Sequence, residues 1–108
     1  MKRFGQIIKV KPELEAKYKE YHANPWPGVI KMIRDCNIRN YSIFLRDGYL
    51  FAYYEYIGDD YEADMAKMAA DKTTQEWWAA VMPCQHPIET AAANEWWVDM
   101  EPVFFFDK

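Results

Sequence analysis

The pattern of apolar and polar positions predicts a strand followed by two helices at the beginning of the chain. Residues 3–10, RFGQIIKV, contain β-branched residues and alternate in polarity. Pro12 follows, and proline suits the first position of a helix, where its missing N–H has no helical partner. We expect this helix to end near Ala23, because Asn24 precedes a proline and is disfavoured in helical geometry. A second, short helix is expected over residues 27–36.

Two runs of strand-forming residues flank an Asp-Gly pair and predict a β-hairpin. They occupy residues 37–60, and Asp47-Gly48 is a strong signal for a two-residue hairpin turn. Both faces of the resulting strands are apolar. On the second strand, one face carries Tyr41, Ile43 and Leu45 and the other Phe44; on the third, one face carries Phe51 and Tyr53 and the other Leu50, Ala52, Tyr54 and Tyr56.

Two patterns typical of capping boxes predict the helices of the second half of the chain. They are Asp59 with Glu62, before a helix over residues 60–70, and Thr73 with Glu76, before a helix over residues 74–82 that ends at Pro83. Residues 83–94 are expected to form a loop. Residues 95–106, EWWVDMEPVFFF, predict the last strand, in which Pro102 indicates an edge or a bulge.

The order of these elements is β-α-β-β-α-β, which is the ferredoxin-like α+β arrangement, in one domain spanning residues 1–108. The helices of this fold cover only one face of the sheet. An uncovered apolar face requires a second layer, and a second copy of the same chain is the simplest one. We therefore expect a homodimer in which two sheets pack face to face.

Composition and charge exclude several classes of partner. The 108 residues carry a net charge of −4 with both signs interspersed, so the chain has no basic stripe for nucleic acid. No stretch of about 20 apolar residues predicts a membrane span, and MKRFGQIIKV has no apolar segment typical of a signal peptide. Cys36 and Cys84 are too few for a disulfide framework. These features predict a cytoplasmic protein with reduced thiols.

Tyr18 and His22 lie four residues apart and therefore share one face of the first helix. His22 falls in the last turn, where the helix dipole favours an imidazolium by roughly 0.3–1 kcal/mol. A protonated imidazole near neutral pH suits a general acid. The alternative is a structural histidine, partly buried at the helix end and hydrogen-bonded to the backbone.

Two tryptophan pairs mark further candidate positions. Trp77 and Trp78 lie about 100° apart on a helix, so one can face the core while the other forms a platform for the apolar face of a sugar ring. A second core contact is the alternative for this residue. Trp96 and Trp97 lie in the predicted last strand, and we expect them to form core and dimer contacts.

Three other polar side chains have open interpretations. The hydroxyl of Tyr41 either reaches a pocket at the end of the sheet or faces solvent. Glu55, in an aromatic strand, either pairs with Arg3 or Arg39 or forms the polar floor of a pocket. His86, in a proline-bounded loop, is expected at the surface. No metal-ligand spacing, phosphate-binding loop or nucleophile elbow is present, so we expect no cofactor and no metal.

Several motifs, in order along essentially the whole chain, resemble the L-rhamnose mutarotase family, which includes L-fucose mutarotases. The motifs are YKEYHANPWP, IRNYSIFL before the Asp-Gly turn, LFAYYEY after it, QEWWAAVMP and MEPVFFF. The resemblance implies a dimeric α/β barrel with a ferredoxin-like protomer. It also implies interconversion of the α and β anomers of a 6-deoxy-L-hexose, by acid–base ring opening and reclosure without a cofactor.

The resemblance also implies roles for individual residues. His22 corresponds to the proton donor, and the sugar-binding residues correspond to Tyr18, Tyr41, Trp77 and Trp78. It leaves the general base open among Glu55, a tyrosine and water. The family pattern H-N-P-x-W-P differs from this chain, in which one residue separates the histidine from the Asn-Pro pair, so the sugar stays open between L-rhamnose and L-fucose.

Two other functions are compatible with the same fold. One is a cofactor-free or haem-degrading monooxygenase, to which His22, Asn24 and Trp26 give a superficial similarity. The other is a non-catalytic sugar-binding module.

Overall fold

The computed structural model describes residues 1–107 and shows one antiparallel sheet with helices on one of its faces. The elements in chain order are β1 (Lys2–Val10), α1 (Glu15–Ala23), α2 (Pro27–Asp35), β2 (Ile38–Arg46), β3 (Tyr49–Tyr56), α3 (Tyr61–Ala70), α4 (Lys72–Val81), β4 (Gln85–His86) and β5 (Val98–Asp99). One 3₁₀ turn precedes α1 and another follows α4, at Pro12–Leu14 and Met82–Cys84.

The strand order confirms the predicted ferredoxin-like class. Strands run β2-β3-β1-β4, all neighbours are antiparallel, and β5 pairs with β1 on the same side as β4. The first helical segment connects β1 to β2, and the second connects β3 to β4. The α+β arrangement predicted from the order of elements is therefore present.

The hairpin between β2 and β3 closes at the predicted turn. Asp47 has φ 54° and Gly48 has φ 80°, and Arg46 pairs with Tyr49. Two consecutive residues with positive φ define the type I′ turn, whose twist matches that of the flanking strands.

Alternation along β3 separates the core face of the sheet from the open face. Leu50, Ala52, Tyr54 and Tyr56 are buried, whereas the intervening residues are only partly buried. The main core cluster combines this face with the helices; its buried members are Ile8, Val10, Tyr18, Val29, Leu50, Trp77, Val81 and Cys84. On the open face, Phe51 lies between Ile7 and Phe44 in the strand register.

Both predicted capping boxes are wrong in detail, although both helices are present. The residue that caps α3 is Asp60, whose carboxylate accepts a hydrogen bond from the Ala63 N–H at 3.1 Å. The residue that caps α4 is Asp71, which accepts from the Thr74 N–H at 2.9 Å. An aspartate directly before each helix is in position to reach the first free N–H groups, so α4 begins before Thr73.

The predicted last strand and the preceding loop also require correction. Of the residues predicted as strand, Val98–Asp99 form β5 on β1, and the Met100 N–H adds a hydrogen bond to the Gly5 oxygen at 2.7 Å. Residues 100–107 have no regular secondary structure. Pro102 lacks the N–H that would continue the ladder. Within the predicted loop, Gln85–His86 forms a short strand on β1, so the fourth strand of the fold consists of two separate pieces.

Both cysteines, Cys36 and Cys84, are buried and free. Within residues 1–107, no helix is long and apolar enough to cross a membrane.

Candidate functional site

A cavity of about 380 Å³ lies between the inner face of the sheet and the helices. All five site residues implied by the sequence border it: Tyr18, His22, Tyr41, Trp77 and Trp78. The wall is mainly aromatic and aliphatic, and a few polar groups project from it. This composition suits a small ligand that has both apolar surface and hydroxyl groups.

The hydrogen bonding of His22 defines its tautomer. Its Nδ1 lies 2.8 Å from the backbone oxygen of Tyr18, one turn earlier in α1. A carbonyl oxygen only accepts, so Nδ1 carries the hydrogen, and the lone pair of the neutral ring is on Nε2. No residue in the described part of the chain hydrogen-bonds to Nε2, which leaves this atom available to a ligand.

The protonation of His22 differs from the sequence-based expectation. Burial lowers the pKa of the imidazole below its usual value of 6.5, and the hydrogen bond to the Tyr18 backbone opposes this shift only partly. The helix dipole predicted the opposite direction. Since His22 is half-buried against aromatic rings, loss of hydration outweighs the dipole, and the neutral imidazole is the resting form at neutral pH.

Tyr18 lies directly beside this histidine. The two rings stack with their centroids 4.2 Å apart, and Tyr18 is buried. Its hydroxyl oxygen accepts a hydrogen bond from Gln85 Nε2 at 3.1 Å. Burial raises the pKa of Tyr18 far above its usual value of 10, so the phenol remains neutral.

Trp77 and Trp78 differ in their burial. Trp77 is buried, and its ring makes edge contacts with the rings of His22 and Trp26, with centroids 5.2 Å apart in both pairs. Trp78 is only partly buried and packs at the edge of the core. Trp77 therefore supports the histidine, while Trp78 has more surface to offer a ligand.

A β-bulge in β2 places Tyr41 on the cavity side of the sheet. Arg39 pairs with Glu55 and Ser42 with Tyr53, so two residues of β2 oppose Tyr54 alone. The first of them, Asn40, has φ 52°. The ring of Tyr41 lies 5.4 Å from the ring of Tyr54. The residue is 43% exposed, partly towards the cavity. Desolvation by the surrounding protein nevertheless raises the pKa of the Tyr41 hydroxyl to about 12.

Glu55 does not border the cavity. It lies on the open face of the sheet, where its carboxylate accepts hydrogen bonds of 2.7 Å from Tyr53 and Asn40. These bonds hold its pKa below the usual range. Neither the ion pair with an arginine nor the pocket floor expected from the sequence is formed, and a general-base role for Glu55 is excluded by its position.

Three other residues considered from the sequence lie outside the cavity as well. His86 is exposed, as predicted. Asn24 and Trp26 border a separate cleft on the outside of α1, so they do not form a common site with His22. Within residues 1–107, no three His, Cys, Asp or Glu side chains lie close enough together to hold a metal ion.

Sequence reasoning missed three polar residues of the cavity wall, Gln6, Thr74 and Gln85, and it expected core and dimer contacts of Trp96 and Trp97, which both border the cavity. Trp96 Nε1 donates to Gln85 Oε1 at 2.7 Å, and both tryptophans also pack against the core as expected. No local pattern marks Gln85, because its partner Tyr18 is 67 positions away in the chain.

An aromatic cavity lined by a neutral imidazole and neutral tyrosyl hydroxyls suits acid–base chemistry on a small molecule. A family model described as L-rhamnose mutarotase matches residues 3–106. The chain belongs to the L-rhamnose mutarotase family and is a sugar mutarotase, an isomerase.

Similar proteins match over nearly the full chain. An L-rhamnose mutarotase of Bacillus subtilis is 32% identical over 109 residues, covering 99% of this chain and all of that protein. One of Mannheimia succiniciproducens is 32% identical with the same coverage. One of Oceanobacillus iheyensis is 36% identical over 85 residues, covering 77% of this chain and 79% of that protein.

Two solved structures share the fold. A crystal structure of an L-rhamnose mutarotase from Formosa agariphila has a TM-score of 0.76 at 22% identity and covers 99% of this chain and all of that one. The tetracenomycin F2 cyclase of Streptomyces glaucescens has a TM-score of 0.69 at 13% identity, covering all of this chain and 99% of that one. At these identities, the likeness supports the fold alone.

Proposed function

We propose that this protein interconverts the α and β anomers of a 6-deoxy-L-hexose, with L-rhamnose as the first candidate and L-fucose as the second. The observation that carries the proposal is the placement of His22 Nε2, the unpaired nitrogen of a neutral imidazole, on the wall of an aromatic cavity. L-Rhamnose comes first because it is the substrate in the names of the relatives.

His22 is the group that moves the proton. In ring opening, Nε2 accepts the proton of the anomeric hydroxyl, and the resulting imidazolium donates it to the ring oxygen as the C1–O5 bond breaks. Both oxygens are bonded to C1, so one nitrogen reaches both of them. The electron pair of the broken bond stays on the ring oxygen, and C1 becomes an aldehyde. Rotation about C1–C2 and the reverse transfer close the other anomer.

This route requires no general base besides His22. The imidazole starts neutral, as its lowered pKa demands, and acts as the donor expected from the sequence only after it has taken the first proton. No net proton enters or leaves the site.

The neighbouring residues hold the sugar. The raised pKa values of Tyr18 and Tyr41 keep both phenols neutral, so their hydroxyls serve as hydrogen-bond donors to sugar oxygens. Trp78 supplies an indole face for the C–H side of the ring, and Trp77 packs behind the imidazole. The C6 methyl group of a 6-deoxy sugar suits the aromatic wall.

The test is saturation-difference NMR at the anomeric protons of L-rhamnose and L-fucose, with D-glucose as a sugar that carries a hydroxymethyl group instead. We expect faster exchange between anomers of at least one 6-deoxy sugar than of D-glucose. No acceleration with either deoxy sugar would contradict the proposal. Binding of a deoxy sugar without acceleration would favour the non-catalytic alternative.

We also propose that the protein is a homodimer whose sheets pack face to face. On the open face, Phe44 is 65% exposed and lies beside Phe51, while Val98 lies beside Ile7. The apolar residues 103–106, VFFF, are exposed as well and add to the surface that requires cover.

Sedimentation velocity at micromolar concentration tests the dimer. We expect a dimer for the wild type and a monomer for Phe44→Lys. Ile30→Lys is the matched control, because Ile30 is an exposed apolar residue on α2, away from the open face of the sheet. A stable wild-type monomer would refute the proposal.

A cytoplasmic location is proposed as well, supported by the two free, buried thiols of Cys36 and Cys84. Cell fractionation checks it, and recovery of the protein in an oxidising compartment would contradict it.

A further inference from the structure

The structure assigns to Gln85 a positioning role, in which its side-chain amide aims the hydroxyl proton of Tyr18 into the sugar cavity. The effect of Gln85 on catalysis rests on the proposed function. The hydrogen-bond network of Tyr18, Gln85 and Trp96 is a property of the sugar-free protein and has its own test.

The orientation of the Gln85 amide follows from its two partners. Trp96 Nε1 lies 2.7 Å from one terminal atom of the side chain, and the Tyr18 hydroxyl lies 3.1 Å from the other. An indole N–H only donates, so the atom that faces Trp96 is the amide oxygen. The amide nitrogen therefore faces Tyr18 and donates to its hydroxyl oxygen.

The consequence concerns the proton of the Tyr18 hydroxyl. The oxygen of this phenol already accepts from Gln85, and no acceptor among residues 1–107 takes the phenolic proton. The cavity is the one side from which an acceptor can approach, because Tyr18 is buried and borders it. The network thus presents Tyr18 as a donor to an oxygen of the ligand.

The fold holds Gln85 rigidly in this position. Gln85 is 4% exposed and pairs with Val10 in the short strand β4, which the sequence predicted as part of a loop. Trp96 reaches it from the segment that precedes β5. The short strands β4 and β5, on the same edge of β1, thus place Gln85 and Trp96 next to each other and beside Tyr18 of α1.

Gln85→Met tests the role, because it keeps the length of the side chain and removes the amide. We expect the KM for L-rhamnose to rise about fivefold, the equivalent of one ordinary hydrogen bond, with kcat within about twofold of wild type. Trp96→Phe, which removes the indole N–H, should shift KM in the same direction. Trp26→Phe is the matched control for lost packing, because Trp26 packs against the core and does not border the cavity.

A double-mutant cycle separates positioning from general structural support. In the background of Tyr18→Phe, Gln85→Met should have no further effect on KM, since the hydroxyl that it orients is absent. Trp26→Phe should have the same effect in both backgrounds. If Gln85→Met retains its full effect in Tyr18→Phe, or has none in the wild type, the positioning role is wrong.

Gln85→Glu replaces the amide nitrogen that donates to Tyr18 with an acceptor oxygen. An ionised carboxylate only accepts, so it would accept a hydrogen bond from the Tyr18 hydroxyl. The phenol oxygen would then present only a lone pair to the cavity, as an acceptor. We expect KM to rise at least as much as in Tyr18→Phe. A KM equal to that of the wild type, in protein shown by circular dichroism to be folded, would overturn the proposal.

NMR of the sugar-free protein tests the hydrogen-bond network independently of the proposed function. The side-chain amide protons of Gln85 and the indole proton of Trp96 should exchange slowly with solvent, and the Gln85 signals should shift in Tyr18→Phe. If these results hold but the wild type accelerates no sugar, the proposed function fails and the network stands. Rapid exchange and unshifted signals would overturn the network itself.

Discussion

His22 Nδ1 donates a hydrogen bond to the backbone oxygen of Tyr18, and the two rings stack with their centroids 4.2 Å apart. The four-residue spacing on α1 therefore does more than place two side chains on one face. The backbone carbonyl selects the imidazole tautomer with its hydrogen on Nδ1, so the lone pair of the neutral ring is on Nε2, and His22 borders the cavity.

Replacement of this imidazole should remove most of the catalysis. We expect His22→Ala to lower kcat/KM for anomer exchange by about 10²- to 10⁴-fold, the usual contribution of a positioned acid–base group. The measurement is saturation-difference NMR with L-rhamnose. His86→Ala is the matched control, because this second histidine is exposed and should leave the rate unchanged. Full activity of His22→Ala would eliminate His22 as the proton carrier.

The rate should depend on pH through the neutral form of His22. The pKa of this imidazole is lowered below 6.5, so the active neutral form dominates at pH 6.5 and above and is lost only as the pH falls through the lowered pKa. After subtraction of uncatalysed exchange, kcat/KM between about pH 5 and pH 8 should be flat on the neutral side and fall on the acid side. A rate that rises on acidification to pH 6.5 would instead indicate a resting imidazolium.

The two tryptophans of α4 should differ in their effect on stability. Trp77→Ala should lower the free energy of unfolding by about 3–5 kcal/mol, because it opens a large cavity beside His22 and Trp26. Trp78→Ala should cost less, since Trp78 is only partly buried. Urea denaturation compares them, and equal losses would contradict the observed difference in burial.

The aspartates that cap the last two helices should matter more than the residues first expected to do so. Asp71→Ala should destabilise the protein by about 1–2 kcal/mol, because it removes the acceptor for both the N–H and the hydroxyl of buried Thr74. Asp60→Ala should cost about 1 kcal/mol.

Thr73→Ala and Asp59→Ala are the controls for these caps and should be close to neutral. The free energies of unfolding from urea titrations are the quantities to compare. If Thr73→Ala lowers the free energy of unfolding as much as Asp71→Ala does, Thr73 contributes to the cap as the sequence predicted, and the assignment to Asp71 alone is wrong.

Local patterns in the chain were sufficient for most of the secondary structure. The Asp47-Gly48 turn follows from backbone preferences of the two residues themselves, and the helix that ends at Ala23 follows from the proline after Asn24. The alternation along β3 likewise divided its residues between the two faces of the sheet as the structure has them. Each of these features depends on forces that act within a few residues.

The short strands and the bulge depend on partners elsewhere in the chain. Gln85–His86 is a strand because β1 offers it a free edge, and Val103–Phe106 is not one although its composition favours strand. The bulge at Asn40 places both Ile38 and Tyr41 on the core side, which strict alternation would not do.

The sequence by itself determined the order of elements, the ferredoxin-like class and, through the family resemblance, five of the residues that border the cavity, because periodicity and motifs are local properties of the chain. Only the tertiary structure decided the charge of His22 and the direction of the Tyr18 hydroxyl. The charge of His22 depends on the loss of its hydration, because α1 and α4 bury the imidazole against aromatic rings such as that of Trp77. The direction of the Tyr18 hydroxyl depends on Gln85 and Trp96, which the folded sheet brings next to a residue far away in the chain.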